Sequence, residues 1–163
     1  MWNGLNIYRC FNSKIEAVTI SNAKYDNSLG TDSYGICIES STNTTIERVT
    51  ALCAQECIDV TGQIPTINTY IRNCNLSSEC RSVGFGMHES AYNTVVEDCT
   101  IGGISLYGPS IIKRCNIITN TRIATTGSII IYGSHNKSLG KYIIKDCNFY
   151  TIDSGIFINA PSP

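Results

Sequence analysis

No charge of either sign dominates this chain. Lysine plus arginine number 12 and aspartate plus glutamate 13, for a formal net charge of -1. A broad basic face of the kind that grips nucleic acid is therefore excluded. Long apolar runs are missing too. Nothing approaches the ~20 consecutive apolar residues of a membrane-spanning helix. Met1 to Cys10 holds no apolar stretch, so no secretory leader is expected. Neither nucleic acid nor membrane is an expected partner. Helix-favouring residues are also scarce: 6 Leu and 7 Ala stand against 25 Ile, 16 Thr and 15 Asn. Branched residues pack well on pleated strands, whereas helical proteins lean on Leu and Ala. The chain reads as all-β. Charged residues make up only 15% and hydrophobic ones 42%, a balance that does not suit a disordered chain. Nine cysteines are present without a C-x-x-C pair, Cys53 and Cys57 being the closest. That spacing fits neither a zinc site nor a disulfide framework, and it suits folding in a reducing compartment. No metal and no cofactor is expected.

What is present is a repeat. The phrase Thr45-Ile46-Glu47-Arg48-Val49-Thr50 recurs around a central Val or Cys at positions 18, 49, 74, 99, 115 and 147. Three residues before that centre stands Ile or Val, two before it a charge, and one after it Thr or Asn. A second phrase interleaves with the first, in the form small, apolar, variable, apolar. It starts near 4, 35, 57, 84, 103, 128 and 155, which gives a mean period of about 25 residues over 1–163. Asn12, Asn43, Asn68 and Asn93 mark the register six residues before the centre. Asparagine tolerates left-handed backbone angles, and its amide can bond to copies above and below. A ladder of asparagines at a turn follows.

A period near 25 built from short strands is that of a parallel β-helix, here of about six to seven coils in one domain. Successive coils pair ~4.8 Å apart. Ile, Val, Leu and Cys then point inward in columns, and Cys74, Cys99, Cys115 and Cys147 act as small buried hydrophobes. Residues 1–13 show no amphipathic capping helix. An uncapped coil exposes apolar columns and strand edges, so further coils of a longer chain, or an oligomer, are expected to cover them.

The stretches "GICIESSTNTTIERVT" and "GFGMHESAYNTVVEDCTIGG" resemble coils of the right-handed parallel β-helix, or pectate-lyase-like, superfamily, and within it those of phage tailspikes and tail appendages. The resemblance covers nearly the whole chain. It implies a bacterial surface polysaccharide as partner, a homotrimeric assembly, and a place in the virion tail after synthesis in the host cytoplasm. It does not settle activity, because this superfamily holds lyases, hydrolases, esterases, epimerases and pure binding spikes. The signatures of its polygalacturonase-like enzymes (Asn-Thr-Asp, Asp-Asp, Gly-His-Gly and Arg-Ile-Lys) do not occur here, nor does a dense acidic cluster of the calcium-binding kind.

Strand alternation predicts one exposed column: Tyr8, Glu39, Thr61, His88, Tyr107, Tyr132 and Asn159, with Asp59 and Ser105 two residues earlier and Glu89 one later. Rings that stack on sugars, and polar groups that bond hydroxyls, make Tyr8, Arg81, Tyr92, Tyr107, Tyr132 and His135 the candidate substrate-binding residues. Arg81, His88, Glu89 and Tyr92 lie beside Gly84-Phe85-Gly86, whose glycines permit close approach of a ligand. Glu39 and Glu89 are expected in one register two coils apart, ~9–10 Å, near the upper limit for an inverting glycosidase pair. Asp59 lies between them. The candidate catalytic set is thus Glu39, Asp59, His88 and Glu89, acting as a polysaccharide hydrolase. Against it stand two blander readings, an ordinary solvated strand face and a rigid structural spacer of a virion fibre.

Overall fold

The computed structural model describes residues 2–23, 33–53, 56–78, 84–88, 90–119, 129–132, 141–151 and 155–159. Every regular element among them is a strand, and all pair in parallel with the equivalent strand of the next coil. The first sheet runs Trp2–Tyr8, Ser33–Glu39, Glu56–Thr61, Phe85–Met87, Ile104–Leu106, Ile129–Tyr132 and Ile156–Asn159. The second runs Lys14–Glu16, Thr42–Glu47, Thr66–Arg72, Thr94–Glu97, Ser110–Lys113 and Ile143–Lys145, with Ala91–Tyr92 also on Thr66–Arg72. The third runs Thr19–Ala23, Thr50–Cys53, Asn75–Ser78, Thr100–Ile101, Asn116–Thr119 and Asn148–Thr151. This is a parallel β-helix. No described helix is long and apolar enough to cross a membrane.

The two sequence phrases supply the sheets directly. The first spans the second and third sheets, with its central residue at the corner between them. The second phrase is the strand of the first sheet. Registers keep equivalent residues opposite: Ile36 faces Ile58, Ile58 faces Phe85, and Phe85 faces Ile104. Ile46, Ile71, Val96 and Ile112 form a matching column on the second sheet, and Ala51, Leu76, Ile101 and Ile117 on the third, all fully buried. Three inward columns close one apolar core. Cys74, Cys99 and Cys115 lie within it as free thiols. Hydrogen bonding to the sulfurs of Cys115 and Cys74 pushes the Cys99 thiol upward, so it stays protonated and packs as a small apolar group.

Two corners hold the coil. At one, Asn12, Asn43, Asn68 and Asn93 adopt φ of 54 to 58°. Their amides donate upward, Asn43 Nδ2 to Asn12 Oδ1 at 2.8 Å, Asn68 to Asn43 at 2.9 Å and Asn93 to Asn68 at 3.2 Å. The expected ladder is present. At the other corner, Ala17, Arg48, Asn73, Asp98, Arg114 and Asp146 take φ of 52 to 56°. The shortest coil, Cys99 to Cys115, visits all three sheets in 16 residues.

Charges on the outer face of the second sheet pair between coils. Arg72 donates to Glu47 at 3.1 Å, and Lys14 lies 3.2 Å from the same carboxylate. Arg48 bonds Glu16. Arg114 reaches Asp98 through Nε and Nη2, each at 2.8 Å. Hydrogen bonds from Arg72, Lys14 and Arg114 hold Glu47, Glu16 and Asp98 respectively below their ordinary values. A carboxyl lowered on folding stabilises above its unfolded pKa and loses that contribution as pH falls through the folded one. Melting temperature is therefore expected to hold above pH 4.5, the ordinary value for Glu47, and to decline below it. The slope should be shallow, because solvent and salt screen these groups. Thermal melts of the wild type and of Arg72→Met at descending pH would show it, with the variant's curve flatter.

At one end of the stack Leu5, Ile15, Val18 and Ile20 are only partly covered, and at the other Ile143, Phe149, Ile156 and Ile158 are exposed.

Candidate functional site on the outer face of the first sheet

The second phrase places two side-chain columns on the outside of the first sheet. The outermost begins Tyr8, Glu39 and Thr61 by direct pairing, and the Val60–Met87 and Leu106–Ile131 registers carry it through His88, Tyr107 and Tyr132. The last three rings lie in successive coils and stack on one another. His88 and Tyr107 are parallel within 5° at 5.8 Å, and Tyr107 and Tyr132 within 7° at 4.2 Å. Both faces of Tyr107 are thus covered by its neighbours. It offers solvent an edge and a hydroxyl.

The second column runs Asn6, Cys37, Asp59, Gly86, Ser105 and Ile130. Alternation predicts Asp59 to be exposed, yet it is 1% exposed. The pleat fixes the face by which a side chain leaves the sheet, not whether water reaches that face. Here His88 and Glu56 close over the carboxylate. His88 Nε2 lies 3.2 Å from Asp59 Oδ1, and one donor atom each from Glu56, Asp59 and His88 falls within 4.8 Å of the others. The Cys37 thiol is a second witness to this crowding. Burial, then the charges of Asp59, Glu39 and Glu56, push it up to about 12. Three carboxylates and one imidazole therefore converge on the middle coils of the first sheet.

Gly86 makes that convergence possible. A Cβ there would collide with the Glu56 carboxylate, whose Cδ would lie 2.7 Å away. The obstructing atoms are the far end of a flexible side chain. Gly86→Ala is therefore expected to swing Glu56 out of the cluster while leaving the melting temperature within a few degrees, a change of about 1 kcal/mol or less. Thermal melts check the second part, and cleavage or ligand-binding assays of the variant the first. Gly84 differs, because a Cβ there would meet backbone, including the Gly102 nitrogen at 2.8 Å. Neighbouring protein, rather than ligand, takes the space these glycines leave.

Residues 1–158 match the family model described as "Gp49, pectin lyase-like". The chain belongs to this family. Among solved structures, this Gp49-family chain is similar to the tailspike protein gp49 of Pseudomonas phage LKA1, with a TM-score of 0.74 and 23% identity over 91% of the chain. It is also similar to the Gp54 tailspike of Acinetobacter baumannii bacteriophage AP22, solved in complex with A. baumannii capsular saccharide, with a TM-score of 0.71 and 23% identity over 90% of the chain. The chain spans about a quarter of each tailspike, 25% and 24%. At this identity the likeness is one of fold. No curated protein matches.

In this Gp49-family chain, the structure brings Glu39, Asp59, His88, Tyr107 and Tyr132 together on one sheet, with Tyr8 further along the same column. Tyr92 is not with them. It sits on the short strand Ala91–Tyr92 that pairs with the second sheet. Glu89, Arg81 and His135 lie outside the described residues. The expected register of Glu39 with Glu89 is also corrected: Ile38 faces Val60 and Val60 faces Met87, so His88 follows Glu39 in that column. Glu56 is the residue sequence reasoning missed. It stands at the start of its strand in the inward parity, and Gly86 opposite Asp59 is the signal that something large approaches there.

Proposed function

We propose that this Gp49-family β-helix binds a bacterial surface polysaccharide along the outer face of its first sheet and hydrolyses it at the acid cluster. One observation carries the reading: Glu56, Asp59 and His88 converge within 4.8 Å beside the stacked Tyr107 and Tyr132. Phenol edges, with Glu39 and Tyr8 along the column, supply hydrogen bonds to sugar hydroxyls. Glu56 protonates the glycosidic oxygen, and His88, held by the buried Asp59 at 3.2 Å, takes the proton of the attacking water. His88 can pass a proton near neutral pH. Glu89, the residue after His88, and Arg81, Tyr92 and His135 stay in the proposed set on their sequence positions alone. The module would act at the bacterial surface from a virion tail, as a homotrimer. The AP22 tailspike's complex with a capsular saccharide supports the choice of ligand class.

The test is incubation with purified bacterial envelope polysaccharides, following retention, new reducing ends and ultraviolet-absorbing unsaturated ends. Reducing ends without the absorbance are expected. Absorbance would make it a lyase, and retention alone a binding spike. The paired charge ladder of the second sheet favours one competing reading, a rigid spacer, and neither signal across the panel would select it. Within the binding reading, Tyr107→Phe keeps the stack and loses one hydroxyl, so retention should weaken by about 2- to 10-fold, the worth of one hydrogen bond. Tyr107→Ala removes the middle ring and should weaken it further, as measured by glycan-affinity electrophoresis.

A further inference from the structure

We propose that Glu56, Asp59 and His88 form a binding site for a divalent transition-metal ion such as zinc or cobalt, and that the bound ion switches off hydrolysis by occupying the acid cluster. The donors come from two adjacent coils. Glu56 and Asp59 lie on strand Glu56–Thr61, and His88 directly follows strand Phe85–Met87. Gly86, in strand Phe85–Met87 opposite Asp59, leaves the space into which Glu56 reaches. The independent sign of a ligand is Asp59. Its carboxylate is 1% exposed, and its Oδ1 is buried with no hydrogen bond, although His88 Nε2 stands 3.2 Å away. A buried carboxylate oxygen in that state is costly unless a positive charge meets it.

The geometry suits an ion. Donors about 2.0–2.2 Å from a common centre lie roughly 3–3.5 Å apart. The 3.2 Å between Asp59 and His88 is already in that range. Glu56, the flexible member, brings the set within 4.8 Å and needs to move by about an ångström. A nitrogen donor with two carboxylates favours borderline metals, while calcium prefers six to eight oxygens. His88 has its side chain 48% exposed, so the remaining coordination positions face solvent, where water or a sugar hydroxyl can enter. Ion binding would immobilise Glu56 and His88, the proposed proton donor and acceptor, and leave the tyrosine column untouched. Retention of glycan and its cleavage would then respond differently to metal.

The metal arm needs no activity. The full chain, stripped with chelator and returned to chelator-free buffer, is titrated with cobalt chloride by visible absorption and with zinc chloride by calorimetry. The expected result is one ion per chain without a thiolate-to-cobalt band. Binding should weaken by about tenfold or more in His88→Ala, which alters an exposed side chain, and in Glu56→Gln. Equal calcium should not displace the ion. No binding at millimolar metal, or binding unchanged in His88→Ala, would overturn the proposal. The regulatory half rests on the hydrolytic reading. With a cleaved polysaccharide, zinc should stop the release of reducing ends, and chelator should restore it, while retention persists. Cleavage unaffected by a bound ion removes the switch. Ion binding with no cleavage of any polysaccharide keeps the metal site and removes the hydrolase.

Discussion

Phe85→Ala is expected to destabilise the protein by about 3–5 kcal/mol, the range for truncating a fully buried aromatic. Phe85 is 0% exposed and sits between Ile58 and Ile104 in the inward column of the first sheet. Its ring is enclosed in a middle coil of the stack. Coils touch only their neighbours, so the damage should be local at first. Hydrogen exchange should therefore rise earliest in strands Glu56–Thr61 and Ile104–Leu106, and urea melts should shift to a lower midpoint. Ile158→Ala is the control. That side chain is 66% exposed on an end coil, and its loss should fall within about 0.5 kcal/mol. Equal effects from the two variants would mean that the core does not run through the stack as described.

The second large effect belongs to Asp59→Asn. Under the proposed hydrolysis, the amide is nearly isosteric and fits the same buried space, but it lacks the charge with which Asp59 holds His88 at 3.2 Å. Product formation is expected to fall by about 10²- to 10⁴-fold, the usual worth of a positioned acid or base. Glycan retention should change little, because Asp59 lies beneath His88 and Glu56 rather than among the exposed edges. A reducing-end assay and a retention assay on the same preparation separate the two. Unchanged turnover would remove Asp59 from the catalytic set.

The coil was legible because each of its parts repeats. Ile46, Ile71, Val96 and Ile112 fall at one offset from the central residue, and the structure stacks them in one column. The asparagine corner was legible for the same reason. The second left-handed corner was not. Its occupants are Ala17, Arg48, Asn73, Asp98, Arg114 and Asp146, and alanine and arginine at half of these positions conceal the backbone demand. The site was half legible. Register alone placed Glu39, His88, Tyr107 and Tyr132 in one column. It could not show that the rings of that column would pair with one another, nor that Asp59 would be roofed over. Glu56 escaped because alternation assigns a face to a backbone position, while a long side chain at a strand end can turn toward a vacancy on the neighbouring strand. That vacancy is Gly86.

The coil from Cys99 to Cys115 has a consequence for how such a scaffold can vary. If 16 residues suffice to go once around, as they do there, then every residue beyond that number in another coil is surplus to the framework. The coil from Cys115 to Cys147 holds 32, twice as many. Loop-closure entropy rises only with the logarithm of length, so such a doubling costs about 0.6 kcal/mol. Segments between strands can therefore lengthen, shorten or change sequence with little penalty to the stack. Diversification of the surface between strands is largely uncoupled from the requirement to fold.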